Sequence, residues 1–159
     1  MARITILCVL SLLAPLAVAA TLHGAVVGIS DGDTLTVLDG RNAQYKVRLA
    51  GIDAPEKSQA FGSRSRQSLA DLSFRQQVVV EWTTRDRYGR IIGKVLLDGR
   101  DINLSQISAG MAWHYKAYEL DQTPGDRSAY AAAEVEARQA RRGLWRDPHP
   151  TPPWEFRQR

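Results

Sequence analysis

Alternating apolar and polar residues mark five segments of the chain as β-strands: AVVGI (25–29), TLTVL (34–38), YKVRLA (45–50), VVVEW (78–82) and IIGKVLL (91–97). The tetrapeptide LDGR occurs at 38–41 and again at 97–100. Asp-Gly after an apolar strand signals a turn, because glycine accepts positive φ, and the first copy should join strands two and three. The apolar spacing turns helical in three places. SRSRQSLADLSFR (63–75) sets Leu69 and Leu72 on one face, and INLSQISAG (102–110) sets Leu104 and Ile107 together, with Gly110 as a C-terminal stop. DRSAYAAAEVEARQARRG (126–143) should open at Asp126 as N-cap after Pro124-Gly125, and it closes on two arginines before Gly143, as the helix dipole favours. The proline-rich tail, about 146–159, should run extended across the body with Trp145 and Trp154 as anchors. No internal repeat or linker interrupts this order. The expectation is an α+β domain, a five-stranded OB-type β-barrel with three helices, an architecture whose face commonly meets oligonucleotides.

The first twenty residues change the picture of where the domain begins. Arg3 gives a positive start, Ile4 to Leu16 an apolar stretch, and Ala17, Ala19 and Ala20 a small-residue end, so residues 1–20 read as a secretory signal peptide and 21–159 as one domain. The apolar stretch falls short of the roughly 20 residues of a membrane-spanning helix, and no later run approaches that length, so no membrane association is expected after its removal. Export to a periplasm or to the medium follows, as a monomer. Cys8 is the only cysteine and would leave with this segment, so the mature chain could form no disulfide. Its loss together with Arg3 takes the formal charge from +4 to +3, a mild excess that suits a polyanionic partner.

Candidate chemistry gathers at three turns. In YKVRLA, Tyr45, Val47 and Leu49 share the parity of the core, which sends Lys46 and Arg48 to the other side. The next turn carries Asp53 and Glu56, and Pro55 keeps Ala54 out of helical geometry. SDGDT (30–34) places Asp33 between strands one and two, and RDRYGR (85–90) places Arg90 at the start of the last strand. Alone, SDGDT reads as a tight turn and RDRYGR as a solvated loop; three such turns in one small barrel are harder to dismiss. Asp33 and Asp53 offer a hard cation such as Ca²⁺ its oxygens, with backbone carbonyls and water to complete the shell. His23, His114 and His149 are scattered, which argues against zinc. Arginines clamp phosphate through bidentate hydrogen bonds and stabilise charge growing on a phosphoryl oxygen, leaving Glu56 as the free base.

These motifs, DGDT (31–34), VRLAGIDAPE (47–56) and DRYGR (86–90), followed by GMAW (110–113) and RRGLWRDP (141–148), resemble the staphylococcal nuclease (thermonuclease) family in order and separation. The resemblance implies an OB barrel with three helices and Ca²⁺-dependent cleavage of DNA and RNA phosphodiesters. It implies Asp33 and Asp53 as calcium carboxylates and Ala54 as a backbone carbonyl ligand. It also implies Arg48, Glu56 and Arg90 as the catalytic trio, with glutamate as general base and the arginines on phosphate. Arg87, Tyr115 and Tyr118 fall near the family's substrate contacts, although WHYKAY leaves the register of the tyrosines open and core packing explains a tyrosine equally well. The segment after Glu56, KSQAFGSRSR, is short and offers only Lys57, Arg64 and Arg66 as basic residues. Two other readings remain: an OB module that binds nucleic acid without cleaving it, and a barrel that binds an acidic surface.

Overall fold

The computed structural model describes residues 20–158. Most of the expected signal segment, Cys8 included, lies outside them. Strand β1 (Ala20–Ile29) begins at the last residue assigned to that segment, with Ala20 opposite Trp82. β2 (Thr34–Asp39) and β3 (Gln44–Leu49) follow, then a two-residue β4 (Ile52–Asp53), helix α1 (Gly62–Ser73), β5 (Gln77–Arg85) and β6 (Ile91–Leu97). The chain continues through β7 (Arg100–Asp101), α2 (Ile102–Ser108), β8 (Trp113–His114), α3 (Pro124–Gln139) and α4 (Pro153–Phe156).

The five long strands hydrogen-bond in the order β3-β2-β1-β5-β6, and a parallel pairing of β3 with β6 closes them into a mixed barrel. This is the expected OB-type fold. β1 serves two neighbours, β5 through its first half and β2 through its second, and register shifts at Val26/Gly28 and at Trp82/Thr84 interrupt the ladders. Such bulges bend a strand enough to curl a sheet closed. Inside the barrel, Val26, Leu35, Val37, Val47, Leu49, Val80, Ile91 and Val95 are buried, with α1 and α2 contributing Leu69, Ile102 and Ile107. The parity expected for Val47 and Leu49 holds.

Several boundaries differ from the sequence pattern. α3 starts two residues before Asp126: Thr123 is the N-cap, its hydroxyl accepting from the Asp126 N–H at 3.1 Å, with Pro124 in the first turn, where its missing N–H costs no bond. It ends at Gln139 rather than 143, because Arg141 and Gly143 take positive φ and turn the chain back toward Gly110. Gly110 stops α2 as expected, at φ +67°, where a Cβ would run into the Arg142 carbonyl oxygen. The tail is not simply extended, since Pro153–Phe156 forms a helical turn. Both tryptophans do anchor it: Trp113 meets Trp145 at 4.3 Å and Trp154 at 5.5 Å between ring centroids.

Two buried amides brace the end of the barrel that carries the charged turns. Asn103 accepts from the Val95 N–H and donates to the carbonyls of Ala50 and Gly93, joining α2 to β6 and to the exit of β3. Gln106 donates to the carbonyls of Gly32 and Ser65 and accepts from the Ser68 hydroxyl, pinning the SDGDT turn to α1 and α2. Among the described residues, no helix is long and apolar enough to cross a membrane.

Candidate active site

The SDGDT turn packs so tightly that its middle residue can carry no side chain: a Cβ on Gly32 would collide with Ser65 and with the Ala54 methyl. This contact sets the turn against the one after β3. Asp33 consequently reaches the Ala54 N–H with Oδ2 at 2.8 Å and accepts from the Thr34 hydroxyl with Oδ1 at 3.0 Å. On the far side, β4 pairs with β8, Asp53 opposite Trp113, and that ladder fixes the Asp53 backbone.

Arg48 lies between the two carboxylates. Its Nη1 is 2.6 Å from Asp33 Oδ2 and its Nη2 donates to Asp53 Oδ1 at 3.0 Å. The side chain does point away from the barrel core, but only 16% of it is exposed, so it ends in a carboxylate cage rather than in solvent. Burial opposes its charge, while Asp33, Asp53 and Asp31 together hold its pKa above the ordinary arginine value. Burial pushes the Asp53 carboxyl up against the downward pull of its arginine partners. Asp31, whose Oδ1 accepts from the Asp33 N–H, is pushed up to about 6 by burial and then by the Asp33 charge.

A second cation joins from the other end of the chain. Arg157, one residue past α4, donates from Nη2 to Asp53 Oδ2 at 2.7 Å and from Nη1 to Asp53 Oδ1 at 3.2 Å and Glu56 Oε1 at 2.7 Å. Asp33, Asp53, Glu56, Arg48 and Arg157 thus form one continuous charged cluster. Glu56 stands at its rim with 37% of its side chain exposed, and its N–H is held by Gln59 Oε1.

Arg90 is outside that cluster of contacts. Its Nε donates to Asp86 Oδ2 at 2.7 Å, and Asp86, despite some desolvation acting upward, is held below its ordinary pKa by Arg90 and by backbone N–H groups. In the chain Arg90 immediately precedes β6, whose Ile91 and Ile92 are opposite Val47 and Arg48. Arg87 stacks on the 69% exposed Tyr88 at the β5–β6 hairpin tip. Tyr115 is half-buried, 5.4 Å from the rings of both Trp154 and Tyr118, while Tyr118 is 60% exposed.

The donor set fits a hard cation. Asp33 and Asp53 converge on one positive charge through hard oxygens, and among the described residues no histidine or cysteine is in contact with either carboxylate. Among the described residues no group of three or more His, Cys, Asp or Glu side chains is arranged to hold a metal, so backbone oxygens and water would complete a shell, as Ca²⁺ tolerates. Ala54 contributes its N–H to Asp33 and its backbone position beside both carboxylates.

Comparison with known proteins bears on this geometry. Residues 46–147 match the family described as staphylococcal nuclease homologue. The chain belongs to the staphylococcal nuclease family. It is 47% identical over 147 residues to a Shigella flexneri protein named micrococcal nuclease, covering 87% of this chain and 82% of the relative. It is 43% identical over 141 residues to an Escherichia coli protein named as an uncharacterized endonuclease, covering 88% of each. A Haemophilus influenzae protein with the same description is 45% identical over 132 residues, 83% of this chain and 71% of the relative. The residues missed by sequence reasoning are Arg157, Gln106 and Asn103. Only the first lies in a charged stretch, and its 104-residue separation from Asp53 left no local signal.

Proposed function

We propose that this staphylococcal-nuclease-family protein is an exported, Ca²⁺-dependent nuclease that hydrolyses phosphodiester bonds of DNA and RNA. Membership of a nuclease family supports the hydrolase class, and the observation that carries the chemistry is the pairing of buried Asp33 and Asp53 beside a rim-exposed Glu56. Asp33 and Asp53, with the Ala54 backbone, are the residues that would hold the ion, which when bound supplies a positive charge to polarise the phosphate.

Glu56 is the base. It reaches solvent, so a water can sit against the carboxylate oxygen that Arg157 does not engage and lose its proton there. Arg90 spends only Nε on Asp86, and its terminal nitrogens are the natural clamp for a phosphate oxygen. Arg48 is committed to both aspartates, and its phosphate role requires it to release one of them. Arg87 and Tyr118 are the proposed contacts to flanking nucleotides, by charge and by stacking, a role that the exposed ring of Tyr118 supports. Tyr115, packed on Trp154, supports the wall more than it offers a free ring face.

Plasmid DNA and a long RNA incubated with purified protein test this reading. Cleavage of both should require Ca²⁺ and stop in excess chelator. Binding without cleavage at saturating Ca²⁺ would favour the binding-module reading instead. Export is tested by N-terminal sequencing of protein recovered outside the cytoplasm, which should begin near Ala20 or Thr21.

A further inference from the structure

We infer that Arg157 is a tail-borne counter-cation that holds the Asp53–Glu56 carboxylate pair and competes with a divalent cation for Asp53. The inference rests on the reading of Asp53 as a cation ligand, and concerns a residue outside the 46–147 segment matched to the family.

The tail is built to deliver this side chain. Gln59, whose Oε1 holds the Glu56 N–H, donates from Nε2 to the Thr151 carbonyl at 2.6 Å, so the turn that carries Glu56 and the entry to α4 are tied through one residue. Pro153 is buried, and Trp154 packs on Trp113 and Tyr115. Trp113 is itself the β8 partner of Asp53, so the tail is docked on the strand that fixes the carboxylate it neutralises. These anchors do not involve the Arg157 guanidinium, which is free to leave while the tail stays in place.

The charges explain why it is there. Arg48 contacts Asp33 and Asp53 but not Glu56, and Asp31 adds a further carboxylate beside Asp33. Arg157 covers both oxygens of Asp53 and one of Glu56. A divalent ion on Asp53 would face this guanidinium at a few ångströms, and like charges so placed exclude one another. The same guanidinium holds one oxygen of Glu56, so its departure frees Asp53 and that oxygen together. By reciprocity, whatever Arg157 subtracts from cation affinity, the cation subtracts from tail engagement.

Calorimetric titration of CaCl₂ into the metal-free full-length protein, without nucleic acid, tests this. Arg157→Gln should bind Ca²⁺ about fivefold more tightly or better, as a coupling of this class implies, and Arg157→Lys, which keeps the charge but loses the fork, should fall between. In the parent, the Arg157 Nε–H resonance should shift as Ca²⁺ is added. Equal or weaker Ca²⁺ affinity in Arg157→Gln overturns the competition. If Arg157→Gln binds Ca²⁺ no better than the same protein carrying Asp53→Asn as well, the cation reading of Asp53 fails and the inference falls with it.

Discussion

Replacing Arg48 by methionine keeps most of the aliphatic bulk and removes the charge at the centre of the cluster. Two carboxylates then lose a partner at once: Asp33 at 2.6 Å, with 9% of its side chain exposed, and Asp53 at 3.0 Å, with 1% exposed. Stranding one buried charge costs about 3–5 kcal/mol. Here each aspartate keeps some support, Asp33 from the Ala54 N–H and the Thr34 hydroxyl, Asp53 from Arg157. The lower end, about 3 kcal/mol, is therefore expected, equivalent to a melting temperature lower by roughly 6–12 °C for a domain of this size. Thermal melts followed by circular dichroism at pH 8 in chelator measure it. The deficit should shrink as pH falls, because burial already raises the Asp53 carboxyl and its protonation removes one stranded charge, and excess Ca²⁺ should restore part of it by binding the folded state alone. A variant that melts within about 2 °C of the parent in chelator at pH 8 would show that the ion pairs carry no stability, and the cage would have to be abandoned as a structural unit.

Glu56→Gln should lower the hydrolysis rate by roughly 10²- to 10⁴-fold with nucleic-acid affinity and melting temperature near parental, and a kcat within a few-fold of the parent would remove Glu56 as base. Gly32→Ala forces a methyl into Ser65 and Ala54, so a loss of about 1–3 kcal/mol is expected together with weakened Ca²⁺ binding as Asp33 shifts, measured by urea unfolding and calorimetry. Asp31 has a folded pKa raised from 3.8 to about 6, so the folded state binds its proton more tightly and this contribution to stability is lost as pH rises from about 4 through 6. Asp31→Asn keeps the acceptor for the Asp33 N–H, and in chelator it should be neutral at pH 4 and more stable than the parent by about 1–2 kcal/mol at pH 8, after discounting a roughly 3 kcal/mol shift for solvent screening; equal melts at both pH values would contradict the burial argument.

The local pattern of the chain determined its elements and placed its charges at strand ends. Period-two alternation located the five long strands, because residues 25–29, 34–38 and 91–97 each have one face that must be buried. DGDT, DAPE and DRYGR were legible as turns for the same local reason. The second Asp-Gly, at 98–99, takes positive φ at both residues, as a two-residue hairpin requires. Helix limits were less legible, since the N-cap role passed from Asp126 to Thr123 once proline at 124 was accommodated in the first turn. What tertiary structure alone decided was which charges meet. Arg48 was read as facing away from the core, but whether that side is solvent or a cage depends on turns at 30–34 and 51–56 brought together by packing at Gly32. Arg90, expected with Glu56, is paired with Asp86 four residues away, because a short-range partner costs no additional chain ordering. Arg157 reaches Asp53 across 104 residues. No periodicity encodes that meeting. It arises because Pro153 is buried and Trp154 packs on Trp113 of β8 and on Tyr115, and the guanidinium one turn later lies within reach of the Asp53 and Glu56 carboxylates.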